Sequence, residues 1–200
     1  MVTTPQSGLF SITHCKRLRV SNLTVDYHPL PMTQGRVVAV RNATEYTLEI
    51  DAGFPSLMLP VFLESTKWVL IKDKQRPTVH KLGTRNLNIV TGWKDLTGDG
   101  RLFDVTLGGM AYTDAEAPKL GDPVVHVARY DQYPTFGVEH CDHCGFDGIS
   151  IHASPSASWT ALFSDGLTVR DSAVVPKPGR WQATNADGVF VLDSRIGPVQ

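Results

Sequence analysis

Apolar and polar residues alternate in short runs along most of this chain, and no long segment keeps the 3.6-residue period of a helix. Phe10-Ser11-Ile12, Leu18-Arg19-Val20 and Leu23-Thr24-Val25 place an apolar side chain at every second position, as do Phe136-Gly137-Val138, Cys144-Gly145-Phe146 and Ile149-Ser150-Ile151. Successive side chains of an extended strand point to opposite faces, so each run predicts a short strand with one buried face.

The two sets of runs are copies of one another. Shifted by 126 residues, Phe10, Ile12, His14, Cys15, Leu18 and Val20 fall without a gap on Phe136, Val138, His140, Cys141, Cys144 and Phe146. A further step of 23 residues puts Trp159, Ala161, Leu167, Val169 and Val174 on the same pattern, and a step of 30 adds Val189, Val191 and Val199. The extra length of the last step falls in Pro176-Lys177-Pro178-Gly179-Arg180, an enlarged turn. A repeat that cannot bury its own apolar edge gains a core by stacking. The pattern therefore predicts an all-β chain, a right-handed parallel β-helix interrupted by an insert. An ordinary β-sandwich also spaces short strands evenly, but independent hairpins have no reason to keep the ungapped step.

The insert carries half-buried runs at Arg36–Val40, Tyr46–Ile50, Lys67–Ile71, Leu102–Leu107 and Val124–Ala128, separated by Gly, Pro and Asp turns. Its expected form is a small antiparallel β-barrel. The expected organisation is a first coil over 1–27, the barrel over 28–132, and further coils over 133–200.

Composition narrows the function. Nineteen Lys and Arg against twenty Asp and Glu leave a formal charge of −1, with no basic excess to neutralise phosphates, so nucleic acid is not an expected partner. No apolar run approaches the roughly 20 residues of a membrane span, and the first residues lack the pattern of a signal peptide. Three cysteines leave one unpaired in any disulfide scheme.

Several residues carry candidate chemistry. His140-Cys141-Asp142-His143-Cys144 has the spacing of half a zinc site, but a second ligand pair is missing, and the repeat puts Cys144 in the apolar place of Leu18 and Leu167, with Cys141 over Cys15 and His140 over His14. No metal or cofactor is expected. Asp95-Leu96-Thr97-Gly98-Asp99-Gly100 lacks the distal glutamate of a calcium loop and reads as a hairpin turn. His152 and Trp159 lie where one coil passes into the next, where an exposed indole would stack on a sugar, although alternation gives Trp159 a core position. Strict alternation likewise points Asp187 inward with Val189 and Val191, unless Gly188 breaks the strand.

Asn185-Ala186-Asp187-Gly188 resembles the Asn-x-Asp-Gly motif of pectin-lyase-like glycosidases such as the polygalacturonases. More broadly, Asp26-Tyr27-His28-Pro29-Leu30-Pro31 with Gln34-Gly35, a barrel-sized insert, His152-Ala153-Ser154-Pro155 and Val174-Val175-Pro176-Lys177-Pro178-Gly179 is similar to the exo-α-galactosidases of glycoside hydrolase family 110. That resemblance implies hydrolysis of terminal α-galactosides with inversion, with Asp187 as a catalytic carboxylate, Asn185, His152, Trp159 and Arg195 along the glycan, and a secreted or periplasmic parent. Inversion needs two carboxyl groups about 6.5–9.5 Å apart. The family's Asp-Asp pair does not occur in this chain, so the resemblance implies a fragment inactive alone. Two other readings are open: a non-catalytic carbohydrate-binding or adhesive protein, and a polysaccharide lyase with Arg195 as the candidate base.

Overall fold

The computed structural model describes residues 8–85, 88–108, 112–130 and 133–199. The first repeat supplies β1 (Phe10–Thr13), β2 (Arg19–Ser21) and β3 (Thr24–Val25). There follow β4 (Met32–Val40), β5 (Glu45–Ile50), the single-turn α1 (Pro60–Leu63), β6 (Thr66–Ile71), β7 (Asn88–Asp95), β8 (Leu102–Leu107) and β9 (Pro123–Arg129). The later repeats supply β10 (Phe136–Glu139), β11 (Gly145–Asp147) and β12 (Ser150–Ile151), then β13 (Trp159–Leu162), β14 (Leu167–Arg170) and β15 (Ala173–Val174), and finally β16 (Val189–Leu192) and β17 (Ile196–Val199). The chain divides into two compact units, Met1–His28 with Arg129–Gln200, and Pro29–Ala128.

In the first unit the expected right-handed parallel β-helix is corrected. The parallel strands lie in three separate sheets, β1-β10-β13-β16, β17-β14-β11-β2 and β15-β12-β3, not in one continuous helix. The physical reason is local. Each strand is only two to four residues long, and left-handed residues end the pairing between them. β17 also shifts its register against β14 between Leu167 and Val169.

Within each sheet the offsets read from the chain are the pairing frames. Phe10 pairs with Phe136, Phe136 with Trp159, and Trp159 with Val189. Their rings form the centre of the core: Phe10 stacks on Phe136 at 4.7 Å and Phe136 on Trp159 at 5.7 Å, with Phe146 edge-on at 5.0 Å from Phe136. Offset stacking and edge contacts suit the ring quadrupole, so the column gains more than its burial alone supplies.

Turns repeat as faithfully as strands. His14, His140, Phe163 and Asp193 occupy one turn position, and all four have φ between 46° and 54°. Left-handed backbone costs a non-glycine residue roughly 1–2 kcal/mol, so four such residues in one column require compensation. It comes from the next position inward, where Cys15, Cys141, Ser164 and Ser194 form a ladder. The Cys15 amide donates to Cys141 Sγ (3.4 Å), the Cys141 amide to Ser164 Oγ (3.1 Å) and the Ser164 amide to Ser194 Oγ (2.9 Å). Each thiol or hydroxyl in turn donates to the carbonyl two residues before it. Backbone groups left unpaired by the turn are thereby satisfied.

The second unit is a closed antiparallel barrel of six strands, β4-β5-β8-β7-β6-β9. Tyr46, Leu48, Ile50, Phe103, Val105, Leu107 and Val124 alternate along its strands as buried residues. Gly35 allows β4 to cross closely over β5, since a Cβ there would sit 2.1 Å from the Glu49 carbonyl oxygen. Asp95 accepts backbone hydrogen bonds from Thr97, Gly98 and Gly100, so the glycine-rich segment is the turn joining β7 to β8. Tyr46 and His126 are both buried among the apolar side chains, with Tyr46 Oη 2.9 Å from His126 Nε2.

Candidate functional site

Because the first turn of every repeat stacks on the one before, its outward side chains build a continuous surface. The His14 and His140 rings stack at 5.1 Å, and His140 and Phe163 at 5.2 Å. Phe163 is 49% exposed, with His140 against one face of its ring and Asp193 next in the series. Beyond the ladder of thiols and hydroxyls runs a second column. Lys16 pairs with Asp142 and Asp142 with Asp165, and the Arg195 amide bonds to the Ser164 carbonyl at 2.9 Å, continuing the frame.

Adjacent strands lie about 4.8 Å apart. Two like charges at that spacing repel, and here the two aspartates are flanked by a cation on each side, Lys16 and Arg195. Asp142 also contacts His143 Nδ1. The two columns border an open groove of about 880 Å³ whose lining includes His140, Phe163, Asp142, Asp165, Asp193 and Arg195. It combines one flat apolar face with carboxylates that only accept hydrogen bonds when ionised and a guanidinium that only donates.

Of the residues expected to carry function, only Arg195 lies in this groove. Trp159 is corrected as a sugar platform: it is 2% exposed, and its indole is held between Phe136 and Phe146 in the core. Its position on the inward side of β13 follows from alternation with Ala161. Asn185 is buried, and its amide donates to the Ser154 carbonyl at 3.1 Å. His152 donates from Nδ1 to the Val175 carbonyl at 3.0 Å, since a carbonyl can only accept.

Asp187 is exposed. Asp187 precedes the bend that opens β16, the same bend that Ser158 makes before β13, and its backbone stays in the ladder by accepting from the Ser158 amide at 3.0 Å. The same frame places Ala157 and Pro134 opposite it on the preceding repeats. Neither is a carboxylate.

His140, Cys141 and Cys144 do not converge as metal ligands. Cys141 Sγ is spent on the turn ladder and Cys144 is 1% exposed in the core, where burial pushes its thiol pKa up. Among the described residues no group of three or more His, Cys, Asp or Glu is disposed to hold a metal ion.

Phe163, Asp165 and Asp193 were not among the expected site residues. The signal was present in the repeat, because the steps of 23 and 30 residues set Phe163 and Asp193 on His140 and Asp165 on Asp142. What was missing was the direction of the side chains, which the left-handed turn decides. No protein-family model and no curated protein matches this chain. The likeness to glycoside hydrolase family 110 rests on the quoted residues alone.

Proposed function

We propose that this chain binds glycans along the groove at the first turns, with the exposed Phe163 ring as the platform. The exposure of that ring in the groove carries the proposal. The C–H side of a pyranose is weakly positive and apolar, so it suits the negative face of an aromatic ring. Hydroxyl groups around the sugar then donate to Asp142, Asp165 and Asp193 and accept from Arg195, which fixes orientation.

The test is calorimetric titration and array binding with neutral glycans, galactose-terminated ones included. Phe163→Asn keeps a residue tolerant of the left-handed turn while removing the platform, and should weaken binding at least tenfold. Asp187→Asn should leave it unchanged. Equal binding by wild type and Phe163→Asn, or none by wild type, overturns the proposal.

A second reading, hydrolysis of terminal α-galactosides, is supported by one observation: Asp187 is exposed rather than turned inward. Its weakness is the missing second carboxylate at the stacked positions, since inversion requires an acid and a base across the ring. We expect no turnover of an aryl α-galactoside by this chain. Turnover abolished by Asp187→Asn would make hydrolysis the leading reading.

A further inference from the structure

Cys15 and Cys141 occupy a ladder that does not need sulfur. In the third and fourth repeats Ser164 and Ser194 make the same two bonds, accepting an amide and donating to the carbonyl two residues back, at 2.9–3.1 Å. In the second repeat Cys141 sulfur makes both at 3.2–3.4 Å, and in the first Cys15 sulfur makes the donation at 3.4 Å. A thiol is a weak donor and weak acceptor, so it is the poorer residue for this structural task. The ladder alone gives no reason for thiols there.

The two thiols are also placed for bond formation. The pairing frame runs through Thr13 with Glu139 and Lys16 with Asp142, which sets Cys15 opposite Cys141. Neighbouring parallel strands are about 4.8 Å apart, inside the Cα separation of about 4.4–6.8 Å that a disulfide spans. Cys141 Sγ already leans across, 3.4 Å from the Cys15 amide nitrogen. Cys15 is half-buried and reachable, whereas Cys141 is 4% exposed. Cys144 Sγ lies 3.9 Å from the Cys15 carbonyl oxygen and interacts with the Cys141 side chain, so Cys144 is the rival partner that the test must separate. All three are free thiols in this structure.

We propose that Cys15 and Cys141 form a redox site that reacts with low-molecular-weight disulfides, Cys15 as the entry thiol and Cys141 as the resolving one. The Cys15 thiolate attacks one sulfur of the oxidant, making a mixed disulfide and expelling one thiolate. The Cys141 thiolate then attacks Cys15 Sγ, forming the Cys15–Cys141 bond and expelling the second. Two cysteines lose two electrons, the oxidant disulfide becomes two thiols, and the two cysteine protons end on them. Cys144 is buried in the core, and burial pushes its thiol pKa up. The new bond joins residues 126 apart in the chain, and so links the first repeat to the second through a loop long enough to restrict the unfolded state strongly.

The test uses the full chain, reduced and then equilibrated with oxidised and reduced glutathione. The exchange is quenched in acid, remaining thiols are trapped with N-ethylmaleimide in denaturant so that buried Cys144 is reached, and peptides are mapped by mass spectrometry without reduction. Expected are a Cys15–Cys141 link, maleimide on Cys144, and a Tm raised by roughly 5–10 °C that a reductant reverses. Cys141→Ser should fold, because serine does this work in two repeats, and should stop at a stable glutathione adduct on Cys15. Cys15→Ser should take up no glutathione. A link between Cys141 and Cys144, a persistent adduct on Cys15 in the wild type, or no reaction overturns the proposal.

Discussion

Replacing His126 with Gln should flatten the acid limb of the barrel unit's stability profile. His126 is 2% exposed and shares a 2.9 Å hydrogen bond with Tyr46 Oη, inside a core of Val, Leu and Phe. Burial holds its pKa down at about 3, against an ordinary 6.5, because an imidazolium there would lose its hydration without gaining an anion. The unfolded chain then takes up a proton near pH 6.5 and the folded one does not. Stability is therefore complete above pH 6.5 and is lost as pH falls toward 3. Each unit of pH inside that window removes about 1.4 kcal/mol, so the fall from 6.5 to 5 should remove roughly 2 kcal/mol, before most carboxylates begin to titrate. Urea unfolding of the full chain, followed through Trp68 and Trp93 of this unit, measures it directly. His126→Gln keeps a partner for Tyr46, is expected to be less stable at pH 7.5, and should show little change between 6.5 and 5. Parallel pH profiles for the two proteins would refute the reasoning.

Ser164→Ala removes the acceptor of the Cys141 amide and a rung of the ladder, and should destabilise the repeat unit by about 1–3 kcal/mol; Ser164→Cys, scored by the same chemical denaturation, should recover most of it. Gly35→Ala should lower stability by more than 3 kcal/mol or prevent folding, because its Cβ meets backbone rather than a movable side chain; circular dichroism melts report it. At Asp26, partial burial pushes the carboxyl pKa up, and the hydrogen bonds from Arg180 and Lys177 together outweigh this and hold it at about 2. Its contribution is present above pH 3.8 and lost as pH falls through 2, and Asp26→Asn at neutral pH should cost only about 0.5–1 kcal/mol, since the site is largely solvated. Trp159→Ala should destabilise by about 3–5 kcal/mol, while glycan titration should leave the Trp159 emission of the wild type unmoved.

The barrel strands show how far alternation carries. β4, β5, β6, β8 and β9 each contain a run readable in the chain: β8 alternates in burial along its strand, whereas β9 is buried on both faces and was legible through its β-branched residues. β7 (Asn88–Asp95) escaped notice: its buried faces are Asn88 and Val90 while Ile89 is exposed, so polarity and burial run against each other at its start. Asp187 shows the reverse case. Counting in twos sends it inward, but the chain bends at residue 188, as it does at Ser158 and Thr135 before the preceding strands, so Asp187 lies outside the strand and the carboxylate emerges on the surface. Trp159 obeyed the count, and the possibility of a sugar platform there fails for that reason.

Sequence by itself determined which residues stack on which. The offsets of 126, 23 and 30 residues set Phe10 on Phe136, Phe136 on Trp159 and Trp159 on Val189, because a buried column admits only one register without turning every side chain over. Tertiary structure alone decided that the parallel strands stay in three separate sheets, and that His140, Phe163, Asp165, Asp193 and Arg195 face one groove. Those residues sit in turns where φ becomes positive. Side-chain direction there is set by hydrogen bonds between repeats far apart in the chain, and a period of two carries no information about it.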